Sequence, residues 1–155
     1  MRIFVTWGSG EATTELSAFD AALYDAGIAN YNLIPLSSVI PENSDIIVGK
    51  INRNKEDHGY RLYVVISRRI ETSVGRKAVS GLGWLQKEGN GKGLFAEKEG
   101  NDEIVVKDML EKILEDFQIT REDEYERKEI KINSIECKEK PVCSVVCAVF
   151  KSEKW

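Results

Sequence analysis

Apolar and polar positions alternate with two distinct periods along this chain. Arg2-Ile3-Phe4-Val5-Thr6-Trp7 concentrates β-branched and aromatic residues and predicts a strand, which Gly8-Ser9-Gly10 ends. Thr13 or Thr14 then caps a helix in which Leu16, Phe19 and Leu23, with the small Ala18, Ala21 and Ala22, recur at helical spacing. Gly27 fits the stop of that helix. Residues 30–36 read as a second strand ending at Ser37-Ser38, followed by a loop at Pro41-Glu42-Asn43-Ser44. Strands are predicted over 61–66 and 77–84, a turn at Gly89-Asn90-Gly91, and a strand over 93–97. Val105, Val106, Met109, Leu110, Ile113, Leu114 and Phe117 fall at helical spacing with charges between them. Residues 121–128 form a solvated linker, and 129–136 and 142–150 are closing strands. Two helices and about seven strands predict one α+β domain over 1–155, a sandwich with helices covering antiparallel sheet.

Composition narrows the class. The chain has 155 residues, 22 basic and 26 acidic, for a formal charge of -4. That balance disfavours a nucleic-acid partner, which needs clustered Lys and Arg, and suits a small cationic substrate. No apolar run approaches the roughly 20 residues of a membrane span. Residues 1–7 are too short for a secretory signal, so a cytoplasmic protein is expected.

Scarce residues limit the chemistry. The single histidine, His58, sits in the polar, turn-like Lys55-Glu56-Asp57-His58-Gly59. One histidine makes a Ser-His-Asp triad or a multi-histidine metal site hard to assemble. Cys137, Cys143 and Cys147 lack the spacing and fourth ligand of a zinc site, and no metal is predicted. Strand parity puts Cys143, Val145, Cys147 and Val149 on one face, as buried core. Gly8-Ser9-Gly10-Glu11 lacks the Lys of a P-loop and the third Gly of a dinucleotide fingerprint, and reads as a structural turn. Arg68, Arg69 and Arg76 are candidate anion ligands, with solvated surface as the default reading. Asp20, inside Ala18-Phe19-Asp20-Ala21-Ala22-Leu23, is either an exposed helix position or a carboxylate for a guanidinium.

Ser37-Ser38, at the end of an apolar segment, admits one further chemistry. A serine hydroxyl in a strained turn can attack the preceding carbonyl and turn the peptide into an ester. Elimination then cuts the chain and leaves an N-terminal pyruvoyl, a ketone that no ordinary side chain offers. Such a group replaces the missing histidine, metal or external cofactor.

The residues that carry this chemistry resemble a known family, the pyruvoyl-dependent arginine decarboxylases. The likeness starts at Gly8-Ser9-Gly10-Glu11 and runs through Leu16-Ser17-Ala18-Phe19-Asp20-Ala21-Ala22-Leu23. It is most specific from Ala26-Gly27-Ile28-Ala29-Asn30 through Tyr31-Asn32-Leu33-Ile34-Pro35-Leu36-Ser37-Ser38-Val39-Ile40-Pro41. It returns at Gly93-Leu94-Phe95-Ala96-Glu97-Lys98-Glu99-Gly100 and around Cys147-Ala148-Val149-Phe150. The resemblance implies an α-β-β-α sandwich, assembled as a homotrimer or a dimer of trimers with sites between subunits. It implies a cut between Ser37 and Ser38 into chains 1–37 and 38–155, the second bearing a covalent pyruvoyl cofactor made from Ser38. The implied reaction converts arginine to agmatine and carbon dioxide, the ketone serving as electron sink. Glu97 matches the family's proton-donating glutamate, Asn32 the asparagine near the pyruvoyl, and Asp20 an aspartate linked to the guanidinium. Two alternatives stand beside it: the same chemistry on ornithine, lysine or aspartate, and an uncut, non-catalytic regulatory relative.

Physical argument adds three expectations. Glu97 needs burial to stay protonated near neutral pH. A straight strand would hold Asn32 and Ser38 about 20 Å apart, so the chain bends between them or a second subunit supplies the contact. Pro35 removes a ladder hydrogen bond near the cut.

Overall fold

Parity along the last strand sets the layers. The computed structural model describes residues 1–52, 56–121 and 123–155. In chain order its elements are β1 (Arg2–Glu11), α1 (Glu15–Ala26), β2 (Asn32–Pro35), β3 (Val39–Ile40), β4 (Asp45–Val48), β5 (Arg61–Glu71), β6 (Lys77–Gln86), β7 (Gly93–Gly100), α2 (Glu103–Arg121), β8 (Arg127–Glu136) and β9 (Val142–Glu153). One face of β9, with Cys143, Val145, Cys147 and Val149, packs on Ala18, Ala22, Leu23 and Ala26 of α1. The other face, with Val146, Ala148 and Phe150, meets Leu82, Trp84 and Phe95 of the second sheet. Val106, Leu110 and Leu114 of α2 cover the far side of that sheet against Val79, Leu85 and Ala96. The result is the expected α-β-β-α sandwich, with sheets ordered β2-β5-β9-β1-β4 and β3-β7-β6-β8.

The glycines before α1 work differently from the sequence reading. Gly8-Ser9-Gly10 does not end the first strand; β1 continues through it, paired with β9 as far as Glu11↔Val142. A Cβ on Gly8 would lie 2.0 Å from the Ala22 carbonyl oxygen, and one on Gly10 2.3 Å from that of Ala18. Both glycines let α1 lie directly on β1. Thr14 caps the helix, its hydroxyl accepting from the Ser17 amide at 3.1 Å, and Gly27 closes it at φ 84.

The described residues hold nine strands, against the seven expected. The additions, β3 and β4, span 2 and 4 residues, too short to show a period. β5 runs on to Glu71, past the predicted end at 66. The predicted linker over 121–128 is mostly taken up: Arg121 closes α2 and Arg127 opens β8, while Glu122 lies outside the described residues. Asp123 in between accepts an ion pair from Lys87 and another from Lys92 at 3.3 Å. Lys55 of the polar turn also lies outside the described residues; Glu56 to Gly59 do form a turn. No helix among the described residues is long and apolar enough to cross a membrane.

Candidate active site

The chain changes sheets at the two serines. β2 pairs in parallel with β5 in the first sheet, and β3 pairs with β7 in the second. Leu36, Ser37 and Ser38 make the crossing, so the bend demanded by the Asn32–Ser38 separation is present. Pro35 causes no loss there. The amides of Asn32 and Leu36 donate to the Tyr60 and Val64 carbonyls at 2.8 Å each, so odd-numbered residues point their nitrogens off the open edge. Pro35 sits on that open side, where its missing N–H removes no ladder bond.

Ser38 adopts φ 43, in the left-handed region. A residue with a Cβ pays about 1–3 kcal/mol to stay there. Two contacts fix it: the Phe95 amide donates to its carbonyl at 2.7 Å, and its own hydroxyl donates to Glu97 Oε2 at 2.9 Å. Ser37, the residue whose carbonyl would be attacked, is exposed.

Both edge strands stop short beside this crossing. β2 covers β5 only to Val64, and β3 covers β7 only over Gly93 and Leu94. Past those points the edges of β5 and β7 have no strand neighbour among the described residues. A cavity of about 650 Å³ opens between them. Its wall includes Phe19 and Leu23 from α1, Tyr31 and Asn32 from the start of β2, and Glu97 and Glu99 from β7. Glu97 therefore touches both Ser38 and the cavity. Asn32 joins them, its side-chain amide donating to the Gly59 carbonyl at 2.7 Å. The Tyr31 hydroxyl donates to Asp57 at 3.0 Å. Burial, with that carboxylate beside it, raises the phenol to about 12, so it is a neutral donor throughout the physiological range.

The expected burial of Glu97 needs correction. Glu97 is exposed on the single chain, because β3, the strand that would cover its edge, begins only at Val39, opposite Leu94. Asp20 is exposed on α1 and is absent from the cavity wall, although its neighbour Phe19 lines it. Arg68 is exposed, as expected, and also lines the mouth of the cavity, its guanidinium 4.5 Å over the Phe19 ring. Arg69 and Arg76 both donate to Asn101 Oδ1, at 3.1 and 2.9 Å. Tyr31 lies in the block that carries the resemblance and Arg68 is a candidate cation, but no local pattern gives either a place on this wall, which joins segments distant in the chain. The three cysteines are buried and free. Burial raises the Cys143 thiol to about 11, in keeping with a packing role.

Comparison with known proteins bears on this geometry. The family described as pyruvoyl-dependent arginine decarboxylase matches residues 2–154. A pyruvoyl-dependent arginine decarboxylase of Halobacterium salinarum is 39% identical over 112 residues, 72% of this chain and 68% of the relative. One from Methanopyrus kandleri is 34% identical over 99 residues, 63% of this chain and 59% of that protein. One from Methanothermobacter thermautotrophicus is 47% identical over 47 residues, 30% of this chain and 31% of that protein.

Proposed function

Because the chain belongs to the pyruvoyl-dependent arginine decarboxylase family, we propose that it cuts itself between Ser37 and Ser38 and decarboxylates arginine to agmatine. The observation that carries the cut is the 2.9 Å hydrogen bond from the Ser38 hydroxyl to Glu97, at a serine with left-handed backbone. In this reading Glu97, which accepts the Ser38 hydroxyl, takes its proton as Ser38 Oγ attacks the Ser37 carbonyl carbon. The Ser37–Ser38 peptide bond then breaks to an ester and a free amine. Loss of the Ser38 α-proton expels the Ser37 carboxylate, and water replaces the nitrogen, which leaves as ammonia. Cutting also removes the backbone constraint that holds Ser38 in its costly conformation.

The surroundings of Ser38 fit a pyruvoyl group: a backbone amide faces its carbonyl, a carboxylate its side chain, and the cavity opens beside it. When present, that ketone takes the substrate's amine and draws in the electrons released with carbon dioxide. Glu97 would hold the proton destined for the α-carbon. Asn32, its amide nitrogen committed to Gly59, would offer Oδ1 to the substrate's amine. The protonated state that Glu97 needs calls for a cover over the open edge, and a neighbouring subunit in a trimer or dimer of trimers would supply it. The same neighbour could bring its own α1, and with it Asp20, to the guanidinium.

Intact-mass spectrometry tests the reading. Two chains, 1–37 and 38–155, the second without an N-terminal amine, are expected, and Ser38→Ala should give one inactive chain. A cut, active Ser38→Ala protein would refute the assignment. Light scattering on the native protein should return a multiple of three chains.

A further inference from the structure

Glu99 stands two residues beyond Glu97 on β7. Residues i and i+2 of a strand share a face, about 7 Å apart. Packing along β7 agrees: Phe95 lies between the sheets, and Ala96 turns toward α2. Glu97 and Glu99 thus follow Phe95 on the inner face, and both line the cavity. Their commitments differ. Glu97 already accepts the Ser38 hydroxyl, whereas the Glu99 carboxylate has no hydrogen bond or ion pair among the described residues. An arginine side chain, extended from its α-carbon to its guanidinium carbon, covers five bonds, or about 6 Å. A substrate with its α-carbon at Glu97 can therefore lay its guanidinium against Glu99.

We propose that Glu99 is a substrate-binding carboxylate that receives the guanidinium and selects a cationic side chain of arginine's length. This rests on the reading of Ser38 and Glu97 above. It needs no residue from a neighbour, and it leaves room for Asp20 to close on the same guanidinium from a second subunit. The carboxylate meets the planar fork of a guanidinium with two parallel hydrogen bonds, which an amide cannot reproduce.

The test compares the self-cut native chain with Glu99→Gln and Glu99→Asp. It measures the KM for arginine and the inhibition constant of citrulline, the uncharged isostere. Glu99→Gln should raise the arginine KM by about tenfold or more while moving the citrulline constant less than about twofold. An unchanged ratio of the two constants, with the native chain cut and active, overturns the Glu99 assignment alone. A native chain that is neither cut nor active overturns the site reading and this inference with it. Should Glu99→Gln remain uncut, the ratio is read in Glu99→Asp, whose shorter carboxylate should weaken arginine more than citrulline; an equal ratio there also overturns the assignment.

Discussion

Replacing Gly8 by alanine tests whether α1 is seated on β1 by backbone contact. The added Cβ would sit 2.0 Å from the Ala22 oxygen, 2.6 Å from the Ala26 nitrogen and 3.0 Å from the Ala26 Cβ. Ordinary contact begins at 3.4 Å, so the helix must retreat by about 1.4 Å at the first of these atoms. All three belong to α1, and none is the end of a flexible side chain. Forcing a methyl into such a contact costs about 1–3 kcal/mol. Retreat also stretches the buried bond from the Thr6 hydroxyl to the Ala26 carbonyl, now 2.8 Å. A buried polar pair left unsatisfied costs about 1–3 kcal/mol more. A total of about 2–6 kcal/mol lowers the melting temperature of a chain this size by roughly 5–20 °C. Circular dichroism of the purified variant measures the shift. Melting within about 2 °C of the parent would mean that α1 does not rest on Gly8. Because Phe19 and Leu23 ride on α1, the arginine KM should also rise well below the melting range.

Other substitutions probe the site and its frame. Glu97→Gln should slow both the cut and the turnover by about 100-fold or more, read by mass and by carbon dioxide release; normal rates in both would remove it from proton transfer. Arg68→Gln should lower the arginine KM by about threefold, more at low salt, by removing a like charge from the cavity; a raised KM would mean that Arg68 binds the substrate's carboxylate. Glu71 is held below the ordinary carboxylate range, first by the Ser73 amide, then by the Thr72 amide and Asn101. Its contribution is present above the unfolded value near 4.5 and is lost as pH falls through the lower folded value. Glu71→Gln should therefore flatten the acid limb of a urea-midpoint profile below about pH 4.5, and an unaltered limb would refute the coupling.

The sandwich was legible because parity is local: Cys143, Val145, Cys147 and Val149 declare their shared face within one strand. The reading failed where the cause lay elsewhere in the chain. Gly8 and Gly10 carry a turn signal by composition, but their smallness answers to a helix that begins several residues later. β3 was invisible because two residues have no period, and its pairing with β7 depends on the crossing at Ser38. For the site, Ser37-Ser38 stood out as a pair, and the resemblance pointed to Asn32, Glu97 and Asp20. No pattern in the chain could tell which of these share a cavity. Glu97 and Asn32 do, and the exposed Asp20 does not, because strand ends far apart in sequence decide where the wall runs.

Residues 1–37 hold β1, α1 and β2, and β1 is flanked by β9 on one side and β4 on the other. Severing the backbone after Ser37 would free a short polypeptide whose longest strand is dovetailed into the middle of a sheet built by its larger mate. Its eight paired positions along β9, from Phe4↔Val149 to Glu11↔Val142, survive the nick intact. The fragments should therefore copurify and melt as a single cooperative unit, parting only when the sheet itself is pulled open by denaturant.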